Sequence, residues 1–446
     1  MSRSAKKLAV VFAASLLLLL NGCWWSSFLT GSKALKLAPD AGTPHRPIYH
    51  QGDWTIARAS LHNHTIISDG KYRPEDLVEL ARRTGISVLA ITDHREGGIK
   101  VDGLKIPVNG IEKIGYDEYF KRLLLLKRSA EANQDMILLI GAEVNPYIFN
   151  AGKYPNLVIM NQNYHFVVYR VSDPQVYKKM PVWKEVSFKP LTYPGLAPYQ
   201  KWIDYMVEHG ALVTAAHPAS DESYQILNIL IYGDAPVNNI RLQNLAAYAS
   251  LRESFGPEIS EAGGAWDSVL SEYLAGMRAR PLWTVGDADY HGDEGSLANA
   301  TTLFYMKEWS EAEVYRCLQE GRMVALAGPM FQNSYVAEFS ASDQAAPENE
   351  IMFGREIKVS SPPVIRFRLD HEIPGVKTRL IRNGRVIKEF QGSSLEYTDR
   401  EMLEGKTPAF YRIEVRGRDE PETKDTPFLY QRVNILFTNP VIVRFE

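Results

Sequence analysis

Side chains that bind divalent metals follow several short apolar runs in the first 300 residues of this 446-residue chain. These side chains are His62, His64, Asp69, His94, Glu143, His217, Asp287, Asp289 and His291. Alternate residues of an extended segment point to one side, so His62 and His64 can share a metal ion. Imidazole and carboxylate ligands suit Zn, Mn and Fe, and the two oxygens of Glu143 can bridge two ions. The pattern predicts a site for several metal ions, whose chemistry is the activation of water for hydrolysis.

The segments that carry these residues alternate between strand and helix patterns from about residue 54 to about residue 328. The predicted strands are Ala57–Leu61, Ser87–Ile91, Met136–Ile140, Phe166–Tyr169, Ala211–Ala215, Ile240–Leu245, Pro281–Val285 and Thr301–Met306. The predicted helices are Pro74–Gly85, Tyr116–Ala132, Tyr199–His209, Trp266–Ala279 and Ser310–Gly321. Such alternation is typical of a parallel sheet or an α/β barrel. In a barrel, residues that follow the strands meet at one rim, where active sites are built.

The pattern changes after about Ser334, where short alternating runs replace the helical segments. Turn sequences such as Asn383-Gly384 separate these runs, and this dipeptide is favoured in tight hairpins. We therefore expect two domains, a metallohydrolase barrel at residues 53–333 and an all-β sandwich at residues 334–446.

The N-terminus has the layout of an exported protein. Arg3, Lys6 and Lys7 precede an apolar run that ends at Leu20, which is typical of a signal peptide and short for a membrane span. The following Leu20-Asn21-Gly22-Cys23 resembles the lipobox of bacterial lipoproteins, in which the cysteine carries lipid. We expect a signal peptide at residues 1–22, a flexible tether at residues 23–52 and a lipid anchor on Cys23. A plain signal peptide or a single anchor helix is the alternative.

Composition limits the partners that the chain can have. The formal net charge is -3, and without a basic excess or an RNA-binding motif we expect no nucleic-acid partner. Cys317 is the only cysteine besides Cys23, so lipid on Cys23 leaves no intramolecular disulfide. The expected location is the extracytoplasmic face of a bacterial cell envelope, with a small-molecule ester as the partner in solution.

Three strings carry a family resemblance: Ser60-Leu61-His62-Asn63-His64-Thr65, Ser68-Asp69-Gly70-Lys71 and Ala90-Ile91-Thr92-Asp93-His94. Together with Gly141-Ala142-Glu143, Ala216-His217-Pro218 and Asp289-Tyr290-His291, they resemble the polymerase and histidinol phosphatase (PHP) superfamily. The resemblance implies a distorted seven-stranded (β/α) barrel. It also implies two or three divalent metal ions (Zn, Mn or Fe) that serve mainly in phosphoester hydrolysis.

Carried over by position, the resemblance implies nine metal ligands: His62, His64, Asp69, His94, Glu143, His165, His217, Asp289 and His291. Glu143 would bridge two metals. Asp289 is chosen over Asp287 because it preserves the family's Asp-x-His interval. Asp93 is expected to orient a ligand histidine. Glu143, His217 and Arg95 are the candidate catalytic residues, with Arg95 as a clamp for a phosphate or carboxylate group.

The substrate class has three readings. A phosphoester is the main prediction. A carboxyl or carbamate ester is the alternative, because the segments Ile413–Arg416 and Thr438–Val443 are similar to the C-terminal domain of carbamate-hydrolysing metalloesterases with the same motifs. The reading from another class is a non-catalytic binding module of the cell envelope.

Overall fold

The computed structural model of the protein describes residues 34–36, 48–101, 104–153, 156–160, 164–183, 185–186, 195–220, 224–226, 229–231, 237–251, 254–292, 295–423 and 429–445. The predicted signal peptide, Cys23 and most of the predicted tether lie outside these residues. In the described ranges, no helix combines the length and apolar character needed to cross a membrane.

The first part of the chain mixes strands and helices. Its strands are β1 Ile48–Gln51, β2 Trp54–Ser60, β3 Val88–Ile91, β4 Gly98–Val101, β5 Leu104–Pro107, β6 Ile137–Val144, β7 Phe149–Lys153, β8 Asn156–Met160, β9 Phe166–Tyr169, β10 Glu185–Val186, β11 Leu212–Ala215, β12 Tyr224–Ile226, β13 Ile229–Ile231, β14 Ala247–Ala249, β15 Trp283–Val285, β16 Ala300–Met306 and β17 Met323–Ala327. Its helices are α1 Pro74–Arg83, α2 Ile111–Ile114, α3 Tyr116–Ala130, α4 Pro174–Lys179, α5 Ala197–Glu208, α6 Ala265–Leu274 and α7 Glu311–Glu320. The predicted α/β class is confirmed.

The C-terminal part consists mainly of strands. They are β18 Val336–Asp343, β19 Ala346–Met352, β20 Glu356–Val359, β21 Pro363–Leu369, β22 Lys377–Arg382, β23 Arg385–Gln391, β24 Ser394–Thr398, β25 Ala409–Arg416, β26 Ile435–Thr438 and β27 Val441–Phe445, with one short helix, α8 Glu401–Gly405. Asn383 and Gly384 both have positive φ, 47° and 79°, and join β22 to β23 in the predicted tight hairpin.

Local sequence explains the helices well. Pro74 occupies the first turn of α1 with Glu75 and Asp76, while Arg82 and Arg83 lie in the last turn. This charge order stabilises the helix dipole. In α7, Ser310 accepts a hydrogen bond from the backbone N–H of Glu313 at 3.2 Å, and Gly321 ends the helix with a φ of 74°. The carboxylate of Glu313 pairs instead with Arg322 and Arg316, so only half of a capping box forms.

A central sheet positions the candidate site. Its strands run in the order β15-β14-β11-β9-β6-β3-β2-β16-β17. Neighbours from β2 through β6 pair in parallel, as do β11, β14 and β15. The expected parallel pairing does not hold at β9, which is antiparallel to both β6 and β11, or at β16, which is antiparallel to β2. The strand predicted at Ile240–Leu245 is also wrong, because this segment begins in a 3-10 helix, Val237–Arg241, and the strand starts at Ala247.

The two ends of the seven-strand series β2 to β15 meet at the candidate site. Asn63 and Tyr290 form an isolated parallel bridge, in which the N–H of His64 donates to Tyr290 O at 2.9 Å and the N–H of Tyr290 donates to His62 O at 3.0 Å. Among the described residues, no continuous ladder joins β2 to β15. A closed seven-stranded barrel therefore stays a prediction.

The C-terminal part is hydrogen-bonded to the central sheet. Strand β26 pairs with β17, and β25, β22 and β23 follow it in the same sheet. A second sheet, β19-β18-β21-β24, packs over a buried core that includes Phe339, Phe367, Leu380, Tyr411 and Val443. The predicted division at 333/334 falls between β17 and β18, and the pairing of β17 with β26 crosses it.

Candidate metal centre

The parallel strands deliver most of the candidate ligands to one edge of the central sheet. His62 and His64 follow β2, His94 follows β3, and Glu143 is the next-to-last residue of β6. His217 follows β11, and Asp289 and His291 follow β15. Because the strands are short and parallel, these side chains converge without any long loop to carry them.

The reversed direction of β9 accounts for His165. This residue precedes its strand rather than following it, and in a parallel strand it would lie at the opposite edge. Since β9 is antiparallel to both neighbours, its first residues lie beside the last residues of β6 and β11. His165 Nδ1 is accordingly 2.9 Å from Glu143 Oε1.

Glu143 is the centre of the cluster. Three imidazole nitrogens face its Oε1 atom: His62 Nε2 at 3.2 Å, His165 Nδ1 at 2.9 Å and His217 Nε2 at 3.3 Å. Two more face its Oε2 atom, His64 Nε2 at 3.3 Å and His94 Nδ1 at 2.8 Å. One fully buried carboxylate is thus surrounded by five histidines.

Two aspartates complete the cluster on either side of Glu143. Asp289 Oδ1 lies 3.2 Å from His62 Nε2 and 3.0 Å from His64 Nε2. Asp69 Oδ2 lies 3.4 Å from both His94 Nε2 and His291 Nε2. Three overlapping donor groups result: His62, His64, Glu143 and Asp289; His64, Asp69, His94 and His291; and His94, Glu143 and His165. The structure therefore brings all nine predicted ligands into one cluster.

The orientations of these groups fit metal ions better than a hydrogen-bonded cluster. The Nε2 atoms of His62 and His64 face each other at 3.1 Å, and both face the same oxygen of Asp289. Glu143 Oε2 and His165 Nδ1 are buried and, within the described parts of the chain, make no hydrogen bond despite their close neighbours. Buried polar atoms are almost always hydrogen-bonded, so lone pairs that converge in this way indicate shared cations.

The buried charges of the cluster shift one another's pKa values. Burial alone would lower the pKa of His62, but Glu143 and Asp289 outweigh it and raise this pKa to about 9. Burial would raise the pKa of Glu143, yet the surrounding histidines hold it well below its usual range. A proton on His62 thus offsets the carboxylates, and a bound metal must displace this proton, so metal affinity rises with pH.

Backbone strain is concentrated at the same place. His217 and Asp289 have positive φ values, 24° and 47°, which residues other than glycine rarely adopt. Strained backbone of this kind persists where the surrounding structure holds a functional side chain in place. Both residues belong to the predicted ligand set.

The remaining candidates lie around the cluster. Arg95 is buried and pairs with Glu112 Oε1 at 2.5 Å and with Tyr116 Oη at 3.0 Å. Its side chain has no hydrogen bond or ion pair to any of the nine ligands in the described ranges, and its catalytic role stays a prediction. Asp287 Oδ1 lies 3.9 Å from His62 Nδ1. Sequence reasoning missed Glu96, which is buried with Oε2 4.0 Å from His94 Nδ1 and had no motif to mark it.

The fold and the cluster define an α/β protein with a candidate site for divalent metal ions. Residues 60–216 match the model of the PHP domain family, so the chain contains a PHP domain over this stretch. The predicted resemblance is confirmed. His217, Asp289 and His291 lie beyond the matched residues, and the structure brings them to the domain.

Solved structures give a weaker likeness. A two-domain protein from Bacteroides vulgatus that contains a predicted PHP-like metal-dependent phosphoesterase is 13% identical, with 89% of this chain and 98% of that chain covered and a TM-score of 0.41. A candidate metal-dependent phosphoesterase from Bifidobacterium adolescentis is 16% identical, with 52% and 87% covered and a TM-score of 0.28. No curated protein matches the chain.

Proposed function

We propose that the protein is a metal-dependent hydrolase that uses two or three divalent ions to activate water for attack on a phosphoester. The position of Glu143 supports this proposal most strongly, because five imidazole nitrogens lie within 3.3 Å of its two oxygens. A single buried carboxylate cannot serve five histidines by hydrogen bonding, whereas a carboxylate that bridges two metal ions needs such a set of neighbours.

Each donor group has a role in this proposal. His62, His64 and Asp289 would hold one ion with Glu143. His94 and His165 would hold a second ion with Glu143, and His217 faces the same Glu143 oxygen as His165. Asp69 and His291 would hold a third ion together with His64 and His94. Bound Zn, Mn or Fe supplies Lewis acidity, which makes water a nucleophile near neutral pH and stabilises negative charge on the substrate. The protein's own part is to fix the ligands and to keep the cluster buried.

The third donor group favours a phosphoester over a carboxyl or carbamate ester. Asp69 lies outside the set around Glu143 and pairs with His291 and with His94, whose other ring nitrogen faces Glu143. A third cation near the first two adds positive charge where a phosphoester carries its non-bridging oxygens. A carboxyl or carbamate ester carries no such negative charge before water attacks it.

The test compares Glu143→Gln with a matched control. Glu313 is also fully buried and ion-paired, through Arg322 and Arg316, but it lies outside the cluster, so Glu313→Gln is the control. Both variants and the parent chain are assayed on p-nitrophenyl phosphate, bis-p-nitrophenyl phosphate and p-nitrophenyl acetate after loading with Zn, Mn or Fe. Glu143→Gln should lose more than the about 100-fold that follows loss of a partner outside the ligand set. Equal activity in the two variants would contradict the proposal.

The preferred substrate in the same assay decides the ester class. Turnover of a phosphate ester well above the carboxyl ester supports the phosphoesterase. The reverse preference supports the carboxyl or carbamate esterase, and no turnover of any ester with metal bound supports an envelope binding module.

The proposal includes location at the cell envelope. The lipobox-like Leu20-Asn21-Gly22-Cys23 supports a lipid anchor, which would hold the PHP domain near a membrane on the tether of residues 23–52. Mass spectrometry of the protein isolated from bacterial membranes tests this, because a diacylglyceryl modification on Cys23 is expected. An unmodified chain that retains residues 1–22 would contradict it.

A further inference from the structure

A serine hydroxyl lies between a candidate ligand and a buried carboxylate. Ser68 Oγ donates to Asp93 Oδ1 at 2.8 Å and lies 3.3 Å from His64 Nδ1. Ser68 and Asp93 are fully buried, and His64 is 1% exposed. The three groups form a short chain that ends on a ring of the cluster.

The direction of each hydrogen bond in this chain follows from its donors. Asp93 accepts from the backbone N–H of Thr65 at 2.7 Å and from the Thr65 hydroxyl at 2.9 Å, as well as from Ser68. Three donors therefore point at one carboxylate, which acts as acceptor throughout. A serine hydroxyl has one proton, so Ser68 can only accept at its remaining lone pairs from His64 Nδ1–H.

This arrangement fixes the tautomer of His64. With the proton on Nδ1, the lone pair lies on Nε2, the atom that faces His62 Nε2 at 3.1 Å and Asp289 Oδ1 at 3.0 Å. A competing partner for Nδ1 is Asp69 Oδ1 at 3.5 Å, which is longer than the contact to Ser68. Partners of this kind raise the basicity of a ligand histidine and fix its ring.

We propose that Ser68 is a positioning residue: Asp93 accepts its hydroxyl proton and so orients Ser68, and Ser68 in turn fixes the ring of His64 by accepting from Nδ1–H. Asp93 thus orients a ligand histidine through Ser68, and the ring it orients is that of His64 and not that of its sequence neighbour His94. The inference rests on the proposed function only in that the cluster binds metal.

Thr65 provides a matched control within the same motif. Its hydroxyl donates to the same carboxylate as the Ser68 hydroxyl does, but among the described residues it accepts from no imidazole. Ser68→Ala and Thr65→Val each remove one hydroxyl that bonds to Asp93. Only Ser68→Ala removes the partner of His64 Nδ1. Asp93→Asn serves as a second variant, because it keeps the shape of the side chain and removes its charge.

The experiment measures zinc affinity by chelator competition in the full chain, solubilised in mild detergent. Ser68→Ala should lower the affinity for one zinc ion by about 10- to 100-fold, whereas the zinc affinity of Thr65→Val should stay within roughly threefold of the parent chain. Asp93→Asn should weaken binding in the same direction as Ser68→Ala. The absorption bands of the Co²⁺-loaded protein should change in Ser68→Ala and stay unchanged in Thr65→Val. The melting temperatures of the two metal-free variants should agree, because each loses its hydrogen bond to Asp93 and one more, from His64 in Ser68→Ala and from the Ile67 N–H in Thr65→Val.

Two results would overturn the inference. Parent-like zinc affinity in Ser68→Ala would show that Ser68 does not position His64, and equal losses in Ser68→Ala and Thr65→Val would show that any hydroxyl on Asp93 serves as well. In both cases the parent chain binds zinc, so the proposed function survives. A parent chain that binds no zinc, manganese or iron would overturn the proposed function, and the inference with it.

Discussion

One buried ion pair joins the PHP-containing part of the chain to the C-terminal strands, and its removal should lower stability strongly. Arg412 on β25 donates from Nε and Nη2 to the two carboxylate oxygens of Asp267 on α6, each at 2.7 Å. Both side chains are at most 3% exposed. The guanidinium also lies 4.7 Å from the centre of the Trp266 ring.

The magnitude follows from what Arg412→Met leaves behind. Two charge-assisted hydrogen bonds are lost, and Asp267 keeps its bond from the backbone N–H of Gly263 at 2.8 Å. A buried carboxylate without its cation destabilises a protein by about 3–5 kcal/mol. The double variant Asp267→Leu with Arg412→Met removes both charges and should therefore be more stable than Arg412→Met alone.

Urea unfolding of the metal-free protein measures the effect, with fluorescence and circular dichroism as coincident probes. Arg366→Met is the control, because Arg366 pairs with Glu396 on an exposed face of the C-terminal sheet and should change stability by less than about 1 kcal/mol. A free energy of unfolding for Arg412→Met within about 0.5 kcal/mol of the control, roughly the effect of an ordinary surface substitution, would show that the pair contributes little. A double variant that is less stable than Arg412→Met would show that the unpaired carboxylate is not the source of the loss.

Two further predictions concern groups outside the metal cluster. Hydrogen bonds from Ser360 and Ser361 outweigh burial and lower the pKa of Asp343 to about 2. This stabilisation is present above about pH 4 and is lost as the pH falls through 2. Asp343→Asn should therefore lose about 1–2 kcal/mol at pH 7 and much less at pH 2, and an equal loss at both pH values in urea titrations would contradict the assignment. Burial raises the pKa of the Cys317 thiol to about 12, and its Sγ donates to Tyr305 O at 3.2 Å. In a Cys23→Ser variant, a thiol reagent should therefore label Cys317 only when the folded chain opens. Stoichiometric labelling of the native protein within minutes would contradict the buried position.

The sequence predicts well which side chains meet in the cluster, because their positions follow from local rules. His62, His64, His94 and His217 each follow a recognisable apolar run, and the ends of parallel strands share an edge. The capping residues of α7 and the Asn383-Gly384 hairpin are likewise local features, with physical causes inside a few residues.

The features that escaped prediction depend on contacts between distant residues. A four-residue apolar strand such as β9 carries no sign of its direction, so the place of His165 at the site could not be derived from its spacing. The pair of Arg412 with Asp267 joins residues 145 positions apart, and only the folded sheet brings them together. Ser68 and Asp93 are in the motif, but their link to His64 depends on the turn that follows β2.

Elemental analysis of the metal bound to the full chain tests whether the cluster around Glu143 holds metal ions. After loading with Zn, Mn or Fe and removal of free metal, we expect two or three ions per chain, and fewer ions in Glu143→Gln but not in Glu313→Gln. A chain that retains no metal under these conditions, or a Glu143→Gln variant that retains the full metal content, would show that the cluster is not a metal site built on Glu143.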